Sequence, residues 1–234
     1  MNDLNILYED NHIIVVIKPV GVPVQADKSL DIDLLTIIKK YIKEKYNKPG
    51  NVYLGLVHRL DRMVGGVMVF AKTSKAASRL SEYIRQKNVK KRYYAIVNGI
   101  LPLNNNAILL ENYLVKNERL NISKVCKKDT KNAKLASLEY KVLKNVTYNN
   151  KKYSLVDIDL HTGRHHQIRV QFANISHPLY GDIKYGSDVN KVGESVALFS
   201  YYLSFFHPTK DEYLEFEVNP KDYNMMDKIW REVL

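Results

Sequence analysis

The sequence predicts an α+β fold in which a mixed, largely antiparallel sheet is flanked by helices. Segments rich in β-branched and aromatic residues dominate the chain and mostly follow one another directly, whereas a doubly wound sheet would need regular alternation with helices. The chain has 234 residues, of which 45% are hydrophobic and 26% charged, as in globular proteins. Because no Gly/Ser/Pro-rich linker divides it, we expect a single domain over residues 1–234.

Three elements are predicted in the first third of the chain. HIIVVIKPVGVPV, residues 12–24, is a β-branched strand ended by proline and glycine. Residues 34–46 place apolar side chains at helical spacing and lysines on the opposite face, which predicts an amphipathic helix. GGVMVFAKT, residues 65–73, is predicted to be a buried strand.

The next pair is a helix followed by a strand. Thr73 or Ser74 is a typical N-cap, so we expect a helix over residues 74–87. The tyrosine-rich segment 91–101 is predicted to be a strand that Gly99 closes.

The second half of the chain is predicted to be mainly strands. Residues 135–148 and 152–160 form a strand pair joined by an Asn149–Asn150 turn. Residues 164–175 have a helical period. The remaining predicted elements are strands at 197–206 and 213–218 and a short helix from Met225 to Leu234.

The basic charge favours a polyanionic partner, most commonly nucleic acid. Lysine and arginine number 36 against 25 acidic residues, a net charge of +11. Residues 84–92 hold five basic residues and no acid. Residues 116–134 hold seven basic residues with little apolar patterning, which indicates a mobile basic loop that tracks phosphates; a solvated surface loop is the alternative. The 17 tyrosines, against 6 phenylalanines, would suit stacking on bases.

Several classes of function are disfavoured. A single cysteine, Cys126, excludes a disulfide framework and a cysteine-based zinc site. The chain has no phosphate-binding GxxxxGK[ST] loop, no dinucleotide-binding GxGxxG and no hydrolase GxSxG elbow. The histidines match no zinc spacing and have arginines nearby, so we expect no metal and no cofactor; they are His161, His165, His166 and His177.

The N-terminal sequence gives an expectation about location. MNDLNILYEDN is acidic and has no apolar core, so we expect no signal peptide. The longest apolar stretch near it, residues 13–17, is far shorter than the roughly 20 residues that cross a bilayer. We therefore expect a cytoplasmic protein that contacts no membrane.

Three clusters place polar residues at the ends of predicted strands and helices. In VHRLDRMVGG, Asp61 is flanked by two arginines, which favour its ionised form; a plain salt bridge is the alternative. In TGRHHQIRVQFANISHPLYGDIKYG, a helix beginning near Arg164 would place His165 and Arg169 on one face. KKRYYAIVNG carries Tyr93, which by itself is typical of strand packing. The residues alone therefore indicate a basic protein with an Asp/Arg/Tyr constellation.

Taken in this order, the clusters resemble bacterial pseudouridine synthases of the RluA family, over nearly the whole chain. The carrying segments are ILYEDNHIIVVIKPVGVPV, HRLDRMVGGVMVFAKT, KKRYYAIVNG, TGRHHQIRVQFANISHPLYGDIKYG and ALFSYYLSFFHP. The resemblance implies the pseudouridine synthase catalytic fold without the small N-terminal RNA-binding module of many relatives. It also implies isomerisation of uridine to pseudouridine in structured ribosomal or transfer RNA, at a looped or bulged uridine and without cofactor or metal.

The resemblance also implies roles for individual residues. Asp61 matches the family's catalytic aspartate, Tyr93 the tyrosine of its K-x-Y-x-A strand, and Arg169 the arginine that pairs with the aspartate. Residues expected to support the pocket or contact RNA are Arg59, Arg62, Arg164, His165, Gln167, Lys90, Lys91, Lys127 and Lys128.

Some positions depart from the family pattern. The usual Thr-Ser after HRLDRM is Val64-Gly65, the usual Leu-His-Ala is residues 198–200 (LFS), and the usual Asn before Lys-Pro is Ile17. None replaces the three catalytic candidates, so these departures bear on substrate detail.

Two alternative functions remain: a non-catalytic RNA-binding or ribosome-assembly factor, and a small-molecule hydrolase that uses the histidines and Asp61. We expect a monomer with no obligate protein partner.

Overall fold

The structure is a computed structural model that describes residues 4–27, 29–103, 106–223 and 228–234. The chain divides into two compact units, each built from two separate stretches of sequence. The first unit is Met1–Lys90 with Ser200–Asn219, and the second is Lys91–Phe199 with Pro220–Leu234. The expected single domain over residues 1–234 stays a prediction.

Strands outnumber helices among the described residues, and the ladders described below are all antiparallel, so the predicted α+β class is confirmed. The strands are β1 (Ile6–Glu9), β2 (Ile13–Lys18), β3 (Gly55–Leu56), β4 (Gly65–Ala71), β5 (Lys90–Asn98), β6 (Ile108–Asn117), β7 (Ile122–Cys126), β8 (Lys134–Tyr148), β9 (Lys151–Leu160), β10 (Leu198–Phe206) and β11 (Tyr213–Glu217). The α-helices are α1 (Leu34–Lys45), α2 (Ser74–Arg85), α3 (Gln167–Asn174) and α4 (Lys228–Val233), and Pro220–Asp222 forms a short 3₁₀ turn.

The first unit is built on β2 and β4, in which every residue is buried. The two strands pair antiparallel, and β1 pairs with the other edge of β2. Strand β3 pairs with β4, and β11 pairs with β10. The β-branched residues of β2 suit this position because neither face of the strand reaches water.

Helices α1 and α2 begin at side-chain caps. The Asp33 carboxylate accepts a hydrogen bond from the Thr36 backbone N–H at 3.0 Å. The Thr73 hydroxyl accepts one from the Ala76 backbone N–H at 3.2 Å, so Thr73 rather than Ser74 is the cap of α2. Both predicted helices are therefore confirmed.

The second unit contains an antiparallel ladder in the order β5, β9, β8, β6, β7. Asn149 and Asn150, which join β8 to β9, have φ values of 48° and 59°, as a tight hairpin turn requires. The predicted strand pair is therefore confirmed. Gly99, with φ 86°, follows the last residue of β5 as expected.

The prediction that residues 116–134 form a mobile loop is wrong. Strand β6 extends to Asn117 and pairs with β7, so the basic segment is largely a hairpin followed by a turn and the start of β8. Its apolar pattern is weak because few of its side chains face the interior. The backbone pairing of β6 with β7 supplies the order that the side-chain pattern does not indicate.

Helix α3 begins at Gln167 and not near Arg164. His166, just before it, has φ 53°, in the left-handed region that ends regular helix geometry. His165 therefore lies outside the helix, and the prediction that it shares a helical face with Arg169 is wrong.

The C-terminal part contains the remaining predicted elements. Strands β10 and β11 lie at the predicted positions, and α4 confirms the terminal helix from Lys228, while residues 224–227 lie outside the described residues. Trp230 of α4 is almost fully buried. Within the described ranges, no helix is long and apolar enough to cross a membrane.

Candidate active site

Asp61 lies in a tight turn of the first unit, between the short strand β3 and β4. Its carboxylate accepts a hydrogen bond from the backbone N–H of Met63 at 3.2 Å, and its carbonyl accepts one from Val64 N–H at 3.0 Å. The side chain is half-buried. An aspartate suits this position because its short side chain bonds to the backbone two residues ahead.

Lys18, the last residue of β2, anchors this turn. Its side chain is fully buried, and the ammonium donates to the carbonyls of Pro19 at 2.8 Å and Val22 at 2.7 Å. It also donates to the carbonyl of Arg62 at 3.0 Å, which the Gly21 backbone N–H reaches at 2.9 Å. The residue that follows Asp61 is thus fixed by two donors from the end of β2.

The charge on Lys18 is coupled to Asp61. Burial lowers the pKa of Lys18 to about 7, the attraction of the Asp61 carboxylate opposes that shift, and the Arg62 cation adds to it. The attraction is mutual, so a protonated Lys18 favours the ionised carboxylate of Asp61. The turn therefore holds Asp61 beside a buried positive charge.

Two further contacts fix the same segment against the sheet. The imidazole Nε2 of His58 accepts a hydrogen bond from the Val69 backbone N–H at 3.1 Å. Gly66 has φ 127°, and a Cβ at this position would lie 2.2 Å from the Ser200 carbonyl oxygen. Only glycine allows β4 to begin this close to β10, which fixes where the Asp61 turn must end.

The arginines on either side of Asp61 have different surroundings. Arg59 is exposed. Arg62 is half-buried and pairs with Asp31 and, at 3.9 Å, with Asp27. Both of these carboxylates are fully exposed, and their pKa values are lowered by hydrogen bonds and by the Arg62 guanidinium. Exposed pairs of this kind contribute little to stability and are easily exchanged for another anion.

Arg169 lies on α3 in the second unit and is 5% exposed. Its Nε and Nη2 atoms each donate to one carboxylate oxygen of Asp182, both at 2.7 Å. Asp182 is fully buried. This two-point contact fixes the plane of the guanidinium as well as its position.

Tyr93 and its neighbours lie at the start of β5. Tyr93 is 5% exposed and stands opposite Ile158 of β9. Lys90 is exposed, whereas Lys91 is half-buried, and burial lowers its pKa. Arg92, between the lysines and Tyr93, pairs with Asp157.

Gln167 and Arg164 shape the turn that precedes α3. Gln167 is buried, and its side-chain oxygen accepts hydrogen bonds from the Thr162 hydroxyl at 2.7 Å and the Arg164 backbone N–H at 3.0 Å. Its amide nitrogen donates to the Ser137 carbonyl at 3.1 Å, and the Arg164 Nε donates to the Leu135 carbonyl at 2.8 Å. These contacts give both residues a role in holding the turn; RNA contact by either stays a prediction.

The remaining candidates belong to the basic hairpin and its flanks. His165 Nδ1 lies 2.9 Å from the Ser123 hydroxyl. Lys127 and Lys128 are exposed in the turn that follows β7. In the described part of the chain, no three or more His, Cys, Asp or Glu residues are grouped so that they could hold a metal ion.

The structure adds residues that the sequence predictions did not include, among them Lys18 and Asp182. A lysine at the end of IIVVIK was a usable signal, because a charge at the end of an otherwise apolar buried strand needs a partner. Asp182 lies in the same quoted segment as Arg169, 13 residues further on, but helical spacing does not extend that far and gave no signal for this pair.

Comparison with known proteins identifies the class. The family model described as RNA pseudouridylate synthase matches residues 12–174, a range that contains Asp61, Tyr93 and Arg169. The chain belongs to this family, whose members are isomerases, and the resemblance to the RluA group is confirmed.

Among its relatives, the chain is 36% identical over 226 residues to an uncharacterised RNA pseudouridine synthase of Aquifex aeolicus, covering 92% of this chain and 69% of the relative. It is 31% identical to ribosomal large subunit pseudouridine synthase C of Buchnera aphidicola, covering 87% and 63%, and 34% identical to synthase D of Neisseria meningitidis, covering 92% and 57%. The chain therefore spans little more than half to two thirds of these relatives' length.

A solved structure supports the fold assignment. Human RNA Pseudouridylate Synthase Domain Containing 1 matches with a TM-score of 0.75 and 24% identity, covering 96% of this chain and 86% of the human one. At this identity the likeness concerns the fold.

Proposed function

We propose that this chain converts uridine to pseudouridine in large-subunit ribosomal RNA, with Asp61 as the catalytic carboxylate. The observation that carries the proposal is the anchoring of Asp61: a buried Lys18 and His58 hold its turn inside a segment that matches the family model. The relatives named as large-subunit synthases C and D support this choice of RNA. A ribosomal substrate also agrees with the expected cytoplasmic location.

The proposed reaction is an isomerisation that balances without an oxidant or reductant. The bond between uracil N1 and the ribose C1′ breaks, and a bond between uracil C5 and C1′ forms. The proton that leaves C5 is matched by one that binds N1. No group beyond the chain and its RNA is needed for this balance, so we propose that the enzyme uses no cofactor.

Asp61 acts in this proposal as an ionised carboxylate, either as nucleophile or as the base that removes a sugar proton. A neutral carboxylic acid could do neither. Where Lys18 is protonated, at and below about pH 7, its charge supports the ionised form of Asp61 by Coulomb attraction.

Tyr93 and Arg169 are proposed to act on the same uridine as Asp61. The Tyr93 ring would stack on the uracil, and its hydroxyl would assist removal of the C5 proton. Arg169 takes the catalytic role that its match to the family motif implies. A guanidinium has five N–H donors, so Arg169 keeps donors for a further partner while it holds Asp182.

RNA binding is assigned to the basic segments 84–92 and 116–134. The hairpin of β6 and β7 presents exposed lysines on an ordered ribbon, which suits the phosphates of a folded RNA. The target base must leave its stack, at a cost of a few kcal/mol, so a looped or bulged uridine is the proposed target. We propose that the protein acts as a monomer.

The test is Asp61→Asn, which keeps the shape and removes the charge. We expect release of tritium from RNA labelled at uridine C5 to fall to background, while affinity for that RNA changes by no more than a few-fold. Asp211→Asn, at an exposed aspartate of the same unit, is the matched control and should keep full activity.

Other outcomes decide between the readings. Product formation by Asp61→Asn would show that Asp61 is not the catalytic group. A wild-type protein that binds RNA tightly but releases no tritium from any large-subunit fragment would favour the non-catalytic RNA-binding alternative.

A further inference from the structure

The segment 182–185 contacts Arg169 in two ways. Asp182 binds two nitrogens of the guanidinium at its edge, and the ring of Tyr185 lies with its centroid 5.3 Å from the central guanidinium carbon. A planar cation held at its edge and covered on its face has little freedom to rotate.

The Tyr185 ring is itself held by packing. It is half-buried and packs against a small apolar cluster formed by Leu114 of β6, Ala136 of β8 and Val170 of α3. Val170 directly follows Arg169 in the helix. The ring therefore lies between the guanidinium and the sheet, where a smaller side chain would leave a void.

The hydroxyl of Tyr185 connects the ring to the basic hairpin formed by β6 and β7. It accepts a hydrogen bond from the backbone N–H of Ser123 in β7 at 2.8 Å and lies 2.8 Å from His166 Nδ1. Lys184 makes a second link, because its ammonium donates to the Asn121 carbonyl in the hairpin turn at 3.2 Å. The same edge of the hairpin thus holds the segment that covers Arg169.

We propose that Tyr185 is a positioning residue for Arg169 and that strand β7 holds it in place through the Ser123 amide. Tyr185 touches neither substrate nor reacting atoms in this proposal; it fixes the plane of the guanidinium, on which the proposed role of Arg169 depends. The inference rests on the proposed function, because it acts through the assigned role of Arg169.

The test compares three substitutions at a single position outside the reacting groups. Tyr185→Leu removes the aromatic face, and the single-turnover rate constant at saturating RNA should fall about 10-fold, the size expected for a desolvated cation–aromatic contact. Tyr185→Phe keeps the face and loses the hydroxyl, so we expect it to rescue the rate to within about 3-fold of wild type. The dissociation constant for RNA should stay within about 2-fold in both.

A matched control separates positioning from general destabilisation. Tyr148 is also half-buried in the second unit, at the far end of β8, so Tyr148→Leu should leave the rate constant unchanged.

The decisive readout is a double-mutant cycle with Arg169→Lys. If Tyr185 acts through Arg169, then Tyr185→Leu should lower the single-turnover rate constant by less than about 2-fold in the Arg169→Lys protein. Equal losses in both backgrounds would overturn the inference, as would a wild-type rate for Tyr185→Leu or for Arg169→Lys. Should Tyr185→Leu not fold, the same cycle with Tyr185→Met decides, because methionine also removes the aromatic face and its flexible side chain adapts to the gap. An active Asp61→Asn protein would overturn the catalytic assignment of Asp61 and would leave the cycle readable.

Discussion

Asp61 and Arg169 carry the two charges of the proposed reaction, and the protein holds them differently. Asp61 is half-buried in a turn whose backbone is anchored by Lys18 and His58. Arg169 is buried on a helix and is fixed through its side chain by Asp182. One charge is positioned mainly through the main chain of its neighbours, the other through a direct two-point ion pair.

The difference follows from what each group must do. A reacting carboxylate must exchange its contacts during the reaction, so anchoring the surrounding backbone fixes its position while its oxygens can change partners. A guanidinium that orients another group does not change its bonds, so it can be held by a permanent partner. The two regions therefore predict different responses to substitution.

The largest effect is expected at Asp182. Asp182→Asn removes the carboxylate that pairs with a buried guanidinium, so the free energy of unfolding should fall by about 3–5 kcal/mol. Urea denaturation followed by circular dichroism measures it. Asp188→Asn, an exposed neighbour, should change the same quantity by less than about 0.5 kcal/mol. Equal midpoints for Asp182→Asn and wild type would show that the pair does not hold Arg169.

In the region around Asp61, the low pKa of Lys18 predicts that the free energy of unfolding depends on pH. Its pKa is about 7 in the folded protein and about 10.5 unfolded, so between these values the unfolded state binds more protons. Stability should therefore rise with pH from about 7 to about 10, by up to about 4 kcal/mol. The measurement is the free energy of unfolding at several pH values in wild type and Lys18→Met.

The substitution supplies the control for this pH dependence. Lys18→Met has no titrating group at this position, so its stability should lack the rise, and the difference between the two proteins isolates Lys18 from the other lysines. Parallel pH curves for both proteins would contradict the low pKa of Lys18.

A smaller effect is expected at His58. His58→Ala leaves the Val69 backbone N–H without its acceptor, which should cost about 1–3 kcal/mol of stability. Because the anchor of the Asp61 turn is lost, the isomerisation rate should fall at unchanged RNA affinity. His161→Ala, whose Nδ1 lies 3.4 Å from a serine hydroxyl, should show neither change. An unaltered rate in folded His58→Ala would remove His58 from the anchoring account.

The smallest effect per residue is expected at the exposed lysines of the basic segment. Each phosphate contact contributes about 0.7–0.9 to the slope of log affinity against log salt, so Lys127→Ala with Lys128→Ala should reduce it by about 1.5. Filter binding at several salt concentrations measures the slope. Lys39→Ala with Lys40→Ala, on α1, should leave the slope unchanged. A slope insensitive to Lys127 and Lys128 would move the RNA surface elsewhere.

The sequence predicted best where the local pattern and the tertiary environment agree. Strand β2 and helix α1 were predicted because burial of a β-branched run, or of one helix face, leaves a periodic signal. The Asn149–Asn150 turn was predicted because few residues adopt a positive φ easily. The basic hairpin was missed because its order comes from the backbone pairing of β6 with β7 and not from a pattern of apolar side chains.

The sequence likewise predicted some features of the candidate site and missed others. The residue types and order of the HRLD and GR-x-HQIR segments pointed to the family and to Asp61, Tyr93 and Arg169, because motifs are local. The start of α3 was misplaced by three residues, since a left-handed His166 and a buried Gln167 side chain set it. Hydrophobic periodicity reports neither of these two features, so it could not locate the start of the helix.

The amino-acid sequence by itself determined the fold class, most strands and helices, the basic charge and the family, since these depend on composition, periodicity and short motifs. Only the tertiary structure decided that Lys18 supports Asp61, that Asp182 fixes Arg169 and that Tyr185 covers it. Each of these contacts joins residues too far apart in the chain for helix or strand periodicity to relate them, from 13 positions for Arg169 and Asp182 to 44 for Lys18 and Arg62. Their strength comes from exclusion of water, and burial is a property of the folded chain rather than of any short stretch of sequence.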